Sequence, residues 1–144
     1  MPGALHEVTA VVATIDPQTI NNTSATSDWV NAGDFDELCF LLSVGATDTT
    51  VDAKLREATD SSGSNAADIS GKSITQLSAT DDNKQAVLHV RADELSPTKP
   101  YVACVVTVGS GSSGAVISVV GLGGRARYEP ASDSDLASVV EIVS

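Results

Sequence analysis

The chain has 144 residues, of which 42% are hydrophobic and only 3% are aromatic. This length suits one domain, and a core of aliphatic residues is more typical of a β-scaffold than of a protein that stacks sugars or nucleobases on aromatic rings. The formal net charge is −11, and all eight basic residues lie between Lys54 and Arg127. This distribution argues against nucleic acid as a partner, because phosphate neutralisation needs clustered Lys and Arg, and the acidity is attributed to solubility.

Neither a targeting signal nor a membrane-spanning segment is recognisable. The first seven residues lack a basic start, and the longest apolar stretches have only the length of a strand. We therefore expect synthesis in a cytoplasm and no membrane partner. Cys39 and Cys104 each lie within an apolar run, which favours buried free thiols over a disulfide.

The first part of the chain alternates strands and polar loops. Residues 8–15 form a predicted strand that ends at Asp16, because Pro17 follows it and fixes its own backbone. Residues 21–27 are polar and are assigned to a loop, and a short strand is expected around Trp29. The next strand is predicted over residues 37–44, and its apolar face consists of Leu38, Phe40, Leu42 and Val44.

The middle of the chain shows the clearest alternation. Residues 49–57 place Val51, Ala53 and Leu55 on one side and polar side chains on the other, which predicts a strand with one face in the core and one in water. Residues 68–77 fit either a strand or a short helical turn. A further strand is predicted over residues 85–91, with Ala86, Leu88 and Val90 inward and Val87, His89 and Arg91 outward.

Two runs rich in β-branched residues, 101–108 and 115–122, are separated by glycine and serine at 109–114. This pattern predicts an antiparallel hairpin with a flexible turn. The first run is apolar on both faces, which favours a central position in a sandwich or an interface. The turn lacks the Lys-Ser/Thr pair that a phosphate-binding loop needs.

The last twenty residues differ in character from the strands. Arg125 and Arg127 flank Ala126 and suit salt bridges with acidic neighbours. Residues 131–144 fit either a capped helix or an extended arm, and their apolar side chains need burial on their own domain or on a neighbouring subunit.

Seven or eight strands separated by turns predict an all-β fold. The expected architecture is an antiparallel β-sandwich, jelly-roll-like, with extended N- and C-terminal arms. Residues 1–20 are assigned to an N-terminal strand or arm, residues 21–124 to the sandwich core and residues 125–144 to a C-terminal arm.

The sequence contains no recognisable set of catalytic or metal-binding residues. Neither His6 nor His89 lies beside a nucleophile motif. The spacing of the two histidines from the two cysteines is not that of metal ligands. Acidic clusters at residues 34–37, 81–83 and 133–135 lack the spacing of a calcium-binding EF-hand loop. No catalytic, cofactor-binding or metal-binding residue is assigned, and the protein is not expected to be an enzyme.

The segments 51–60, 68–77, 126–131 and 139–143 resemble small virion proteins encoded among the head genes of tailed bacteriophages and prophages. The resemblance implies a capsid cement or decoration protein on the virion surface, with the major capsid protein and further copies of itself, as a dimer or trimer, as partners. It carries over no catalytic residues.

Within this hypothesis, the N-terminal segment and the tail make contacts between subunits. The expected interface residues are Val8, Val11, Arg125, Arg127, Tyr128, Val139, Val140 and Ile142. Deletion of residues 133–144 is then expected to weaken oligomerisation or capsid binding while the β-core stays folded. Two alternatives stay open, namely a head-tail connector or tail component, and a non-catalytic calcium- or sugar-binding β-module.

Overall fold

The computed structural model describes residues 4–126. A short helix, α1 (Leu5–Val8), precedes the strands, and single 3-10 turns lie at Ala32–Asp34 and Ala92–Glu94. The strands are β1 (Thr9–Ile20), β2 (Thr23–Thr26), β3 (Val30–Asn31), β4 (Phe35–Thr47), β5 (Val51–Ala58), β6 (Ala67–Ser73), β7 (Lys84–Arg91), β8 (Tyr101–Val108) and β9 (Ala115–Ala126).

These strands form two antiparallel sheets packed face to face. The first sheet has the order β1-β9-β4-β7, and the second has the order β2-β8-β5-β6, with β3 pairing with the start of β8. The short strand β3 is an addition to the edge of β8. Among the other eight strands, each connection crosses from one sheet to the other, except the connection from β5 to β6. Two four-stranded sheets wound in this way form a jelly roll, so the predicted all-β sandwich is confirmed.

The core lies between the sheets and is mainly aliphatic, with Phe35 and Phe40 as its largest fully buried side chains. Both rings lie against glycines of β9. A methyl group at Gly121 would come 2.8 Å from the Phe40 ring, and one at Gly123 would come 2.7 Å from the Phe35 ring. The glycine-rich stretch after residue 122 therefore continues the strand, because its missing side chains make room for the two rings.

The predicted hairpin is wrong, although both of its runs are strands. Residues 101–108 pair with β2 and β5, and residues 115–122 pair with β1 and β4. Each run has one buried face, and the two faces meet across the core instead of side by side in one sheet. The central position expected for the first run is confirmed.

The loop between these strands is held by side chains and is not a flexible turn. The Asp48 carboxylate accepts hydrogen bonds from the backbone N–H groups of Ser113 at 2.7 Å and Gly114 at 2.9 Å. The Asn21 side chain donates to the carbonyl of Gly111 at 2.8 Å and accepts from its N–H at 2.9 Å. The loop thus crosses between the sheets with a defined shape.

Two predictions near the N-terminus are corrected. β1 does not end at Asp16 but continues to Ile20, with a register shift between Ile15 and Gln18. It is an edge strand, where the missing N–H of Pro17 breaks no ladder bond that the sheet needs. Residues 23–26, assigned to a loop, form β2 against β8 because their backbone groups reach its free edge.

The remaining strand predictions agree with the structure. Strands β4, β5 and β7 bury the faces expected for them, and β6 settles residues 67–73 as a strand. Both thiols are free, with Cys104 buried and Cys39 half-buried. Within residues 4–126, no helix has the length and apolar character needed to span a membrane.

Candidate interaction surface

The outer face of the first sheet carries two adjacent rows of largely apolar side chains. The strand register aligns Thr14, Val120, Leu41 and Val87 in one row, and Val11, Leu122, Cys39 and His89 in the next. We call these eight residues the apolar face. Val87 is 63% exposed, Leu41 39% and Val120 37%. Contiguous exposed apolar side chains of this kind mark interaction surfaces.

This surface follows from the amino-acid sequences of the two central strands, β4 and β9. In a strand, successive side chains point to opposite faces. β4 alternates buried Phe40 and Leu42 with Cys39 and Leu41, and β9 alternates buried Val119 with Val120. Both strands are apolar on both sides, so the sheet presents hydrophobic side chains to the core and to the outside.

A charged cluster borders the apolar face at one end. Glu37 lies beside Gly124 in the register, and its Oε2 is 2.9 Å from Nε2 of His89. The Nε atom of Arg125 lies 3.8 Å from Oε1 of Glu37. The hydrogen bond from His89, followed by the charge of Arg125, holds the pKa of Glu37 below its ordinary value of 4.5. Glu37 therefore remains a carboxylate at neutral pH.

Cys39 lies near the middle of the apolar face. Its burial raises the pKa of the thiol above 9.0, and the neighbouring Glu37 carboxylate raises it further. The side chain is therefore an uncharged thiol at neutral pH and behaves as a small apolar residue.

The outer face of the second sheet is mainly polar. Asp68 accepts from Nζ of Lys54 at 3.0 Å and from Nε of Arg56 at 2.8 Å, and these contacts, led by the Lys54 hydrogen bond, lower the pKa of Asp68. The hydroxyls of Ser24 and Thr107 lie 2.7 Å apart across β2 and β8. This face is suited to contact with water.

The structure brings three of the expected interface residues to one region. Val11 belongs to the apolar face, Arg125 borders it, and half-buried Val8 ends the helix that leads into β1. The other expected residues lie outside the described residues, namely Arg127, Tyr128, Val139, Val140 and Ile142.

Sequence reasoning missed most of the apolar face, including Leu41, Val120 and Leu122. The signal was present in residues 37–44, where Cys39 and Leu41 occupy the side opposite the core residues. Two-sided apolarity predicts the central position of residues 101–108, and it also marks the two strands of the apolar face.

Of the three acidic clusters, the one at residues 81–83 is used in turns, and the one at residues 133–135 lies outside the described residues. Asp81 accepts from the N–H and hydroxyl of Ser78, and Asp82 accepts from the N–H of Thr47. Across residues 4–126, no group of three or more His, Cys, Asp and Glu side chains is arranged to hold a metal ion.

A shallow groove of about 250 Å³ lies between β6 and β7, beside Lys72 and His89.

No protein-family model and no curated protein sequence matches the chain. Among solved structures, the SPBc2 prophage-derived protein YomS is 8% identical, with a TM-score of 0.45 over 79% of this chain and 92% of that one. The empty capsid of Triatoma virus is 12% identical, with a TM-score of 0.46 over 90% and 95%. The N-terminal cellulose-binding domain of Cellulomonas fimi β-1,4-glucanase C is 10% identical, with a TM-score of 0.42 over 84% and 90%. The assignment of the fold rests on the strand order described above.

Proposed function

We propose that the protein is a structural virion protein of a tailed bacteriophage. Its finer role in this proposal is that of a cement or decoration protein, which binds the outer surface of the head and stabilises contacts between capsomers of the major capsid protein. The observation that carries the proposal is the apolar face, a hydrophobic surface that no part of residues 4–126 covers, on a sheet whose other side already forms a complete core. A surface of this kind is suited to assembly with other proteins.

The two outer faces support this role together. A protein that coats a shell needs one surface for protein contact and another that stays in water, and the two sheets differ in this way. Binding to the assembled shell, and not to separate coat subunits, stabilises the shell by mass action. The proposal includes no catalysis, and it assigns the hydrogen bond between His89 and Glu37 to the border of the apolar face.

The first test is quantitative mass spectrometry of purified particles from the source phage. We expect an abundance close to that of the major capsid protein. A few copies per particle would move the assignment to a head-tail connector or tail component, and absence from the particles would overturn the virion role.

A second measurement separates cement from other shell components. Shells prepared without the protein are expected to lose integrity at a lower temperature than shells to which the purified protein has been added back. An equal loss temperature, despite confirmed binding, would contradict the cement role and leave a purely decorative one.

A further inference from the structure

We propose that the apolar face binds the same face of a second copy of this chain, around a two-fold axis that runs along the strands between β9 and β4. This inference goes beyond the proposed function, because such a dimer needs no shell. Within that function the apolar face makes the contact between subunits, so contact with the shell falls to other surfaces of the chain, and the dimer carries two copies of each, as bridging two capsomers requires.

Shape and chemistry both favour a second sheet as the occupant. Stacked sheets pack about 10 Å apart through short side chains that interdigitate. The apolar face is built from Val, Leu, Cys and Thr with one His at its edge, so it offers such a surface. The polar face of the other sheet does not, because Lys54, Arg56 and Asp68 would lose water there.

The strand order makes the apolar face self-complementary. β9 and β4 are the two central strands, so the proposed axis places β9 of one copy over β4 of the second, and β1 over β7. Leu41 and Val120 share one row of the register, and Cys39 and Leu122 share the next. Across the axis, each Leu41 therefore faces the Val120 of the second copy, and each Leu122 faces its Cys39.

Charge complementarity points to the same arrangement. Glu37 on β4 and Arg125 on β9 lie at the same end of the face, on opposite sides of the axis. Each Arg125 would approach the Glu37 of the second copy, which forms two equivalent ion pairs at the border. Arg125 is 68% exposed and lies 3.8 Å from its own Glu37, so its guanidinium keeps donors for a second carboxylate.

The size of the face sets the expected strength. The interface comprises the two rows of the apolar face and the polar row on either side of them, with Glu37 and Gly124 in one and Ser43 and Ser118 in the other. Four strands about 4.8 Å apart and these four rows, spaced by about 6.8 Å, cover roughly 500 Å² per copy, or about 1,000 Å² for the pair. Specific interfaces begin near this total, and tight ones are larger. The dimer is therefore expected to dissociate on dilution, and the remaining charge of each copy opposes it.

The test is analytical ultracentrifugation of the full chain over a wide concentration range. We expect a reversible monomer–dimer equilibrium. Leu41→Lys places two like charges at the centre of the interface and is expected to weaken association at least about tenfold. Thr26→Lys adds the same charge to an exposed position of the polar face and is the matched control, which is expected to dimerise like the wild type.

Thiol reactivity gives an independent reading of the same face. Cys39 lies close to the proposed axis, whereas Cys104 is 0% exposed and should react only on unfolding. We expect the reaction of Cys39 with a thiol reagent to slow as the protein concentration rises, and this slowing to vanish in Leu41→Lys. Circular dichroism and melting curves verify that the variants are folded.

Three results would overturn the proposal. The wild type could be monomeric at every concentration, or Leu41→Lys could dimerise normally. Protection of Cys39 that is independent of concentration in a monomer would assign the face to another segment of the same chain. Since none of these measurements uses phage particles, failure of the dimer and failure of the virion role are told apart.

Discussion

The two sheets of the sandwich have similar inner faces and opposite outer faces. Inside, both contribute fully buried aliphatic residues, such as Leu42 from the first sheet and Leu55 from the second. Outside, the second sheet carries the ion pairs around Asp68, while the first carries Leu41 and Val87. A sheet that closes a core needs one apolar face, so the second apolar face of the first sheet is available for contact with another molecule.

Comparison of the two sides of one strand should produce the largest effect. Phe40→Ala removes a fully buried ring and is expected to cost about 3–5 kcal/mol of unfolding free energy, whereas Leu41→Ala on the outer side is expected to cost below about 1 kcal/mol in the monomer. Urea unfolding at low protein concentration measures both values. Similar losses for the two variants would mean that the apolar face is part of the folding core.

A smaller effect is expected on the polar face. Asp68→Asn removes the negative charge that Lys54 and Arg56 share, and the side chains of these two residues are 41% and 33% exposed. Solvent screens such pairs, so the expected loss is at most about 1 kcal/mol and should shrink at high salt. Chemical unfolding at low and high salt measures it. A change in the monomer–dimer equilibrium would show that this face also takes part in association.

The smallest effect is expected for Glu37 and concerns the loss of folding stability at acidic pH. The folded pKa of Glu37 lies below 4.5, so its contribution is present above the unfolded pKa and is lost as pH falls through the folded value. In Glu37→Gln, stability is therefore expected to fall less steeply with decreasing pH below about pH 4.5. The pH dependence of stability above that value is expected to be unchanged. Melting temperatures from pH 3 to pH 7 provide the check, with Asp68→Asn as the control for acid loss on the other face. An unchanged acid limb in Glu37→Gln would show that its pairing adds nothing to the monomer.

The strands were largely predictable because their signal is local. Residues 51–57 and 85–91 alternate between apolar and polar side chains, and the sandwich forces their apolar sides together. β2 was missed because Thr23–Thr26 has no apolar alternation and becomes a strand only against β8. Pro17 predicts the end of a strand from the sequence alone, because the sequence does not show that β1 lies at an edge.

The main error in the prediction from sequence is the pairing of strands, and because of it the sequence does not reveal the apolar face. Residues 101–108 and 115–122 are close in sequence and similar in composition, which favours a hairpin on local grounds. Their separation into two sheets depends on β4 and β5, which come earlier in the chain and take up the free edges. Without that register, the alignment of Val120, Leu41 and Val87 in one row was not visible.

The fit of two phenylalanine rings against two glycines also constrains how this chain can vary. Phe40 occupies the space that a side chain at Gly121 would need, and Phe35 does the same at Gly123. A larger residue on β9 is therefore tolerable only after its aromatic neighbour has become smaller, so each pair has to change in a fixed order. In related lineages, positions 40 and 121 should accordingly vary together, as should positions 35 and 123, while Leu41 and Val120 follow the partner that covers them.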